Sequence, residues 1–188
     1  PGTFIGVHFF SPVDRMMLVE VILGEKTGDK AIAVALDYAA AIRKTPIVVN
    51  DTRGFYVNRC VFRYINEAYD MLAEGVPAAM IENAAKFAGM PVGPLSLNDE
   101  VAIDLSHKIM KAQIADLGEA SVKTEHMALV DRMVTELGRL GRKNSKGFYD
   151  YPPKPAKKSL WPGLKDLYPQ KKPEEVDFAE LKERLLVT

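Results

Sequence analysis

The sequence predicts a mainly α-helical chain: a helical bundle preceded by the last strands and helix of a mixed α/β domain. Three observations carry this. Residues 4–10, 17–23 and 47–49 are short apolar, β-branched runs, and the Ala-rich stretch 28–43 between the second and third has a helical period. That order, β–β–α–β, is how an α/β domain closes. Beyond Gly54 the apolar spacing becomes helical and stays so to about residue 139. Glycines and prolines then cluster between residues 147 and 173 and mark an irregular tail.

Taken in order, the first run is stopped by Ser11-Pro12, and the second holds Leu18-Val19-Glu20-Val21-Ile22. Thr27 is the expected N-cap of the helix over 28–43, with Ile32, Leu36, Tyr38 and Ala39 facing the core. Ile47-Val48-Val49 is closed by Asn50-Asp51 and a turn at Gly54. Phe55, Val57, Val61, Phe62, Ile65, Ala68 and Leu72 fit one long helix ending near Gly75. Pro77 suits the first turn of the next, with Ile81, Ala84, Ala85 and Ala88 on one face and Gly89 as its stop. Further helices are expected over 95–116 and 126–139, their small alanine faces favouring close packing. Residues 143–151 are expected to form a short hairpin around Lys146-Gly147. Residues 152–173, with six lysines, read as a solvated connector.

The last residues, 177–188, read as a helix with Phe178, Leu181, Leu185 and Leu186 in an apolar stripe, with no Gly or Asn stop behind it. Such a stripe docks on its own bundle, pairs with a second copy, or frays. Self-association through the helical region, giving a homo-oligomer, is the expectation. The chain opens inside a strand without an initiator Met, as a piece of a longer protein would.

Composition excludes several classes. Lys plus Arg equals Asp plus Glu at 25 each, so no charge surplus favours nucleic acid or an anionic membrane. Cys60 is the only cysteine, which rules out an internal disulfide and a cysteine-based metal site; no metal is expected. Neither a signal peptide nor a bilayer-length apolar run is present, so a cytoplasmic location without membrane insertion is expected.

Three histidines could carry chemistry. His107 and His126 lie in amphipathic stretches without metal-ligand spacing and read as structural or surface residues. His8 ends a strand just before the Ser11-Pro12 break, where side chains leave a sheet for a cleft. Glu20 sits inside the next apolar run, where a carboxylate is costly unless paired. A tight β–β connection would bring the two together, and a histidine oriented by a carboxylate suits a general base. Spacing alone leaves the bland alternative open: a satisfied strand histidine and an edge-strand glutamate. No G-x-G-x-x-G or Walker pattern occurs, so nucleotide binding cannot be read from the residues themselves.

Several long motifs then recur in one order. They are F-I-G-V-H-F-F-S-P-V-D-R-M-M-L-V-E-V-I at 4–22, K-T-P-I-V-V-N-D-T-R-G-F-Y-V-N-R at 44–59, and E-G-V at 74–76. G-M-P-V-G-P-L at 89–95 and G-R-K-N-S-K-G-F-Y-D-Y at 141–151 follow. Together they resemble the 3-hydroxyacyl-CoA dehydrogenases over residues 2–151. The resemblance implies that His8 is the catalytic base, that Glu20 orients it, and that Asn58 lies near the substrate. The alternative for Asn58 is a helix-start residue satisfying backbone. Many members carry Asn where this chain has Ser11, so Ser11 would make a different hydrogen bond to substrate in the cleft. Many carry Gly where this chain has Ala102, a difference expected to touch packing more than chemistry. The family's Gly-rich segment and an upstream catalytic Ser would precede Pro1. L-W-P-G-L at 160–164 and F-A-E-L-K-E-R-L-L at 178–186 resemble the multifunctional fatty-acid oxidation proteins, where such a linker joins two helical repeats.

The resemblance therefore implies residues 1–53 as the end of a Rossmann-type NAD-binding domain and 54–151 as the helical C-terminal domain. Residues 152–176 would be a linker and 177–188 the truncated start of a second repeat. The implied reaction is oxidation of a (3S)-3-hydroxyacyl-CoA to the 3-oxoacyl-CoA with NAD, bound mainly by a domain missing here, so that the chain alone is inactive. Which residues here touch NAD is not implied. The rival is a non-catalytic helical dimerisation or scaffold module, which explains residues 55–140 but gives Glu20 no reason to stand in a core strand.

Overall fold

The computed structural model describes residues 2–187. The chain forms two compact units, the first ending at Phe62 and the second beginning at Arg63.

In the first unit, β1 (Gly6–Phe9) runs antiparallel to β2 (Leu18–Leu23), and β2 runs parallel to β3 (Thr45–Asn50), giving the order β1-β2-β3. The helix α1 (Asp29–Ala41) links β2 to β3 and packs against both. As the central strand, β2 is the most deeply buried: Val19, Glu20 and Val21 are all 0 % exposed. The helix approaches through Ala31, Ala35 and Ala39, spaced four apart on one face, where the absence of bulk lets backbones come close. Two expectations are corrected here. Tyr38 is half exposed, because it lies about 60° round the helix from the middle of the alanine stripe that meets the sheet. Thr27 does not cap the helix. Gly28 does, while the Thr27 hydroxyl donates to the Phe4 carbonyl at 3.0 Å and accepts from the Gly24 amide at 3.1 Å.

The helix α2 (Val57–Ala73) starts in the first unit and continues into the second. It stops at Gly75, whose positive φ allows the Val76 amide to reach back to the Met71 carbonyl at 2.9 Å. Next come α3 (Ala78–Phe87), α4 (Pro94–Val101), α5 (Ile103–Leu117) and α6 (Thr124–Asp131), the last prolonged by a π-helical turn at Arg132–Glu136. Successive helices pack on each other, α3 on α4, α4 on α5 and α5 on α6. The helical stretch expected over 95–116 is divided at Ala102, whose φ of 88° cannot belong to a right-handed helix.

Two buried carboxylates tie this unit together. Glu82, 2 % exposed, accepts the Leu95 amide at 2.8 Å and the Tyr149 hydroxyl at 2.6 Å, and so closes the N-terminus of α4. Asp99, 1 % exposed, accepts the amides of Phe148 at 2.8 Å and Tyr149 at 2.9 Å and the Tyr151 hydroxyl at 3.0 Å. Burial pushes the Asp99 carboxyl up to about 6, against the opposing pull of those amides. A Cβ at Gly93 would overlap the Glu82 carboxylate, and one at Gly147 the Asp99 carboxylate. The glycines of G-M-P-V-G-P-L and G-R-K-N-S-K-G-F-Y-D-Y thus let backbone reach a buried charge. His107 and His126 are also buried, paired with Asp131 at 2.9 Å and Asp70 at 2.7 Å.

Residues 152–173, expected as a solvated connector, carry local structure. The strand β4 (Tyr149–Asp150) pairs with β5 (Ser159–Leu160), and α7 (Leu164–Leu167) buries Leu164. The Arg139 guanidinium stacks over Trp161 at 4.1 Å. The final helix, α8 (Phe178–Val187), packs on α3 and buries Leu181 and Leu185. Arg184 anchors it to Glu67 at 2.6 Å and to Glu74 at 2.7 and 2.8 Å. The centre of the apolar stripe is therefore covered by the chain itself, and the drive toward self-association argued from it is satisfied internally.

The broken helix yields a stability prediction. A non-glycine residue at φ 88° costs about 1–3 kcal/mol, while glycine's extra unfolded-state freedom costs about 0.5–1 kcal/mol. Ala102→Gly should therefore stabilise by about 1 kcal/mol net, a rise of a few degrees in Tm. An unchanged or lower melting temperature would show that the junction carries no strain.

Candidate active site

The strand register places His8 directly across from Glu20 on the antiparallel β1–β2 pair. Opposed side chains on one face of such a pair meet, and His8 Nδ1 lies 2.7 Å from Glu20 Oε2. Glu20 is wholly buried, whereas the His8 side chain is 31 % exposed. The pair thus runs from core to surface, with its carboxylate inside and its imidazole at the boundary.

The other carboxylate oxygen is equally committed. Oε1 accepts the Tyr56 amide at 3.0 Å and the Val57 amide at 2.8 Å, the backbone donors that open α2. Unpaired N–H groups at a helix start favour negative charge, so Glu20 closes α2 much as an N-cap would, from a distant strand. The amides are aimed by the preceding turn. Gly54 and Phe55 have φ of 75° and 48°, and the Phe55 amide donates to the Thr52 carbonyl at 2.9 Å. Burial pulls the Glu20 carboxyl upward, but the Val57 amide, His8 and the Tyr56 amide together hold it below the ordinary carboxylate range.

An ionised carboxylate can only accept, so His8 Nδ1 must donate to it, which leaves Nε2 of the neutral ring as an acceptor. Two aromatic rings set the imidazole plane. Phe10 lies edge-on with centroids 4.7 Å apart, and Phe55 is tilted at 5.6 Å. The result is a ring of fixed orientation with one nitrogen spoken for, the arrangement a general base requires.

Asn58 lies in the first turn of α2, half-buried, directly after the two residues whose amides hold Glu20. Ser11 is on the exposed loop that leaves β1. The structure thus joins His8 to Glu20 by a direct bond, puts Asn58 on the helix that the same carboxylate closes, and leaves Ser11 apart on its loop. Sequence reasoning missed the Tyr56 and Val57 amides, because a backbone donor has no residue-type signature. The available signal was Gly54 immediately before a helical period. Among the described residues, no group of three or more His, Cys, Asp or Glu could hold a metal ion, and no helix is long and apolar enough to cross a membrane.

The fold and site define a small α/β unit that presents a histidine–carboxylate pair, followed by a helical unit. Residues 1–52 match the family described as 3-hydroxyacyl-CoA dehydrogenase, NAD binding domain, and residues 54–151 match 3-hydroxyacyl-CoA dehydrogenase, C-terminal domain. The chain belongs to the 3-hydroxyacyl-CoA dehydrogenase family. It is 45% identical over 158 residues to the fatty acid oxidation complex subunit alpha of Shewanella loihica, covering 84% of this chain and 22% of that protein. The protein of the same name from Vibrio parahaemolyticus is 41% identical over 181 residues, covering 95% and 25%. The chain thus spans about a quarter or less of the length of these curated relatives. Among solved structures, an (S)-3-hydroxybutyryl-CoA dehydrogenase from Ralstonia eutropha is similar with TM-score 0.67 and 35% identity, covering 80% of this chain and 53% of that one. A 3-hydroxybutyryl-CoA dehydrogenase from Escherichia coli K12 gives 0.69 and 30%, covering 81% and 32%. One expectation is corrected: the match over residues 1–52 gives no support to the view that the chain lacks the NAD-binding domain, for this segment is itself part of that domain.

A pH prediction follows from the Glu20 environment. Its folded-state pKa is depressed below the ordinary 4.5, so its contribution is complete above that value and is lost as pH falls through the lower, folded one. The stability difference between wild type and Glu20→Gln should be constant well above pH 4.5 and shrink steadily as pH falls below it. Chemical denaturation of both across that range checks it. A gap of constant size would mean that Glu20 gains nothing from its charge.

Proposed function

We propose that the protein carrying this chain oxidises a (3S)-3-hydroxyacyl-CoA to the 3-oxoacyl-CoA in fatty-acid β-oxidation, with His8 as general base. The observation that carries this reading is the 2.7 Å bond between His8 and a fully buried Glu20 whose other oxygen holds two helix-start amides. The family match supports the substrate class and the use of NAD, which accepts the hydride when bound. The described residues contain no Gly-rich phosphate loop, so none is assigned to the dinucleotide, and the 188 residues alone are proposed to be inactive.

The chain's own residues handle the proton. His8 Nε2 accepts the proton of the 3-hydroxyl as the O–H electron pair becomes the second bond of the 3-oxo group and the C3–H pair departs as the hydride. The imidazolium so formed faces a carboxylate that cannot drift, since three hydrogen bonds fix it, and no reorganisation is needed when charge appears. Asn58 and Ser11 are proposed as substrate contacts, Asn58 through its amide and Ser11 through its shorter hydroxyl. A scaffold role accounts for the two amides on Glu20 but gives no use to the imidazole held beside it at the surface. The proposal includes a cytoplasmic location; association of copies through the helical region would need a surface other than Leu181 and Leu185.

In the full-length protein, His8→Gln should lower kcat by about 10²–10⁴-fold with little change in KM. Glu20→Gln should act in the same direction, and the double variant should be less than additive because the pair works as a unit. Near-wild-type turnover by His8→Gln would remove His8 from the chemistry.

Asn58→Ala should cost about 1–3 kcal/mol in kcat/KM through one lost substrate hydrogen bond. The melting curve should be unchanged, since the α2 amides are held by Glu20 and not by Asn58. A variant with normal kcat/KM would assign Asn58 to backbone satisfaction alone.

A further inference from the structure

The loop between β1 and β2 carries Ser11 and starts directly after Phe10, the ring that packs on His8. Its own backbone holds one tight turn, in which the Arg15 and Met16 amides share the Pro12 carbonyl at 3.1 and 3.0 Å. Residues 11–17 are exposed, Val13, Met16 and Met17 among them, so no apolar packing fixes this segment. A loop built in this way keeps many conformations open unless something outside it holds it.

That outside hold is Lys44. Its ammonium donates to the Val13 carbonyl at 2.5 Å and to the Met16 carbonyl at 2.7 Å, bridging both ends of the turn. The lysine is itself placed by backbone geometry. Arg43 takes a φ of 58° beyond α1, its amide bonds the Ala40 carbonyl at 2.9 Å, and the Lys44 amide reaches back to Ala39 at 2.8 Å. The Thr45 amide then donates to the Met17 carbonyl at 2.8 Å, which fastens the far end of the loop to the start of β3. A charged donor to a carbonyl is stronger than a neutral one, and two from a single side chain define the loop's shape.

We propose that Lys44 is a positioning residue for the dehydrogenase site, acting through the 11–17 loop to hold Ser11 and the approach to His8 in the geometry that receives the acyl-CoA. This rests on the reading of His8 as the base. The base itself does not depend on Lys44, because His8 and Glu20 are held by strand register and by the α2 amides. Loss of the clamp should therefore appear in substrate capture and leave proton transfer largely intact.

The test uses Lys44→Met, Lys44→Arg and His8→Gln in the full-length protein, with 3-hydroxybutyryl-CoA as probe. Lys44→Met should raise KM for the acyl-CoA roughly tenfold while kcat falls by no more than about twofold. Lys44→Arg, a donor of similar reach, should restore KM to within about threefold of wild type. A role in stability alone would lower Tm without moving KM, and that result overturns the proposal, as does a fall in kcat at constant KM. Should Lys44→Met fail to fold, Lys44→Gln, with a shorter neutral donor, carries the same comparison. Normal turnover by His8→Gln would overturn the underlying reading, whereas an unmoved KM in Lys44→Met alongside an inactive His8→Gln overturns only the clamp.

Discussion

The Glu20 carboxylate is the constraint on which the first unit is organised. It stands in the central strand between two fully buried valines, where a bare charge would be prohibitively costly. Three donors remove that cost: an imidazole across the ladder and two amides at the start of α2. Each needs the others. Without the amides, burial alone would favour a protonated acid, which loses an acceptor for the imidazole; without the imidazole, one oxygen would be buried unbonded. Strand pairing, the Gly54-Phe55 turn and the onset of α2 are thus coupled through a single side chain.

The second unit uses the same device twice. Glu82 and Asp99 are buried acids that accept backbone amides from segments distant in sequence, and glycine occupies the places where the backbone comes closest to them. Tyrosine hydroxyls complete both sets, Tyr149 on Glu82 and Tyr151 on Asp99. Buried carboxylates here act as connectors between backbone ends that no helix or sheet ladder could satisfy.

The β–β–α–β order and the long helix after Gly54 were legible because each rests on local periodicity, while the His8–Glu20 pairing was suggested by one costly residue in an apolar run and sharpened only by the family resemblance. Glu20 announced itself by its two valine neighbours. Glu82 and Asp99 did not, since on a helix a single acid reads as part of the polar face until the partner segment is known. Ala102 was noticed only as a departure from a family pattern; its left-handed backbone is invisible to helix periodicity, which runs unbroken across it. The segment 152–173 misled through its lysines. Its order comes from isolated residues, the buried Leu164 and the Trp161 ring beneath Arg139, whose partners are unrelated to any local pattern. Lys44 was visible only as the first residue of a recurring motif, and its role left no signal because its acceptors are carbonyls.

The sequence separations of these carboxylate bonds also bear on the order in which the second unit can assemble. Glu82 meets the Leu95 amide 13 residues away, whereas Asp99 meets Phe148 and Tyr149 across 49 and 50 residues. Closing the longer loop demands more chain entropy before any bond is gained. The turn joining α3 to α4 can therefore form early and locally, while the Asp99 side chain remains hydrated until residues 147–151 arrive. Desolvation of that acid therefore waits on a closure of 49 residues.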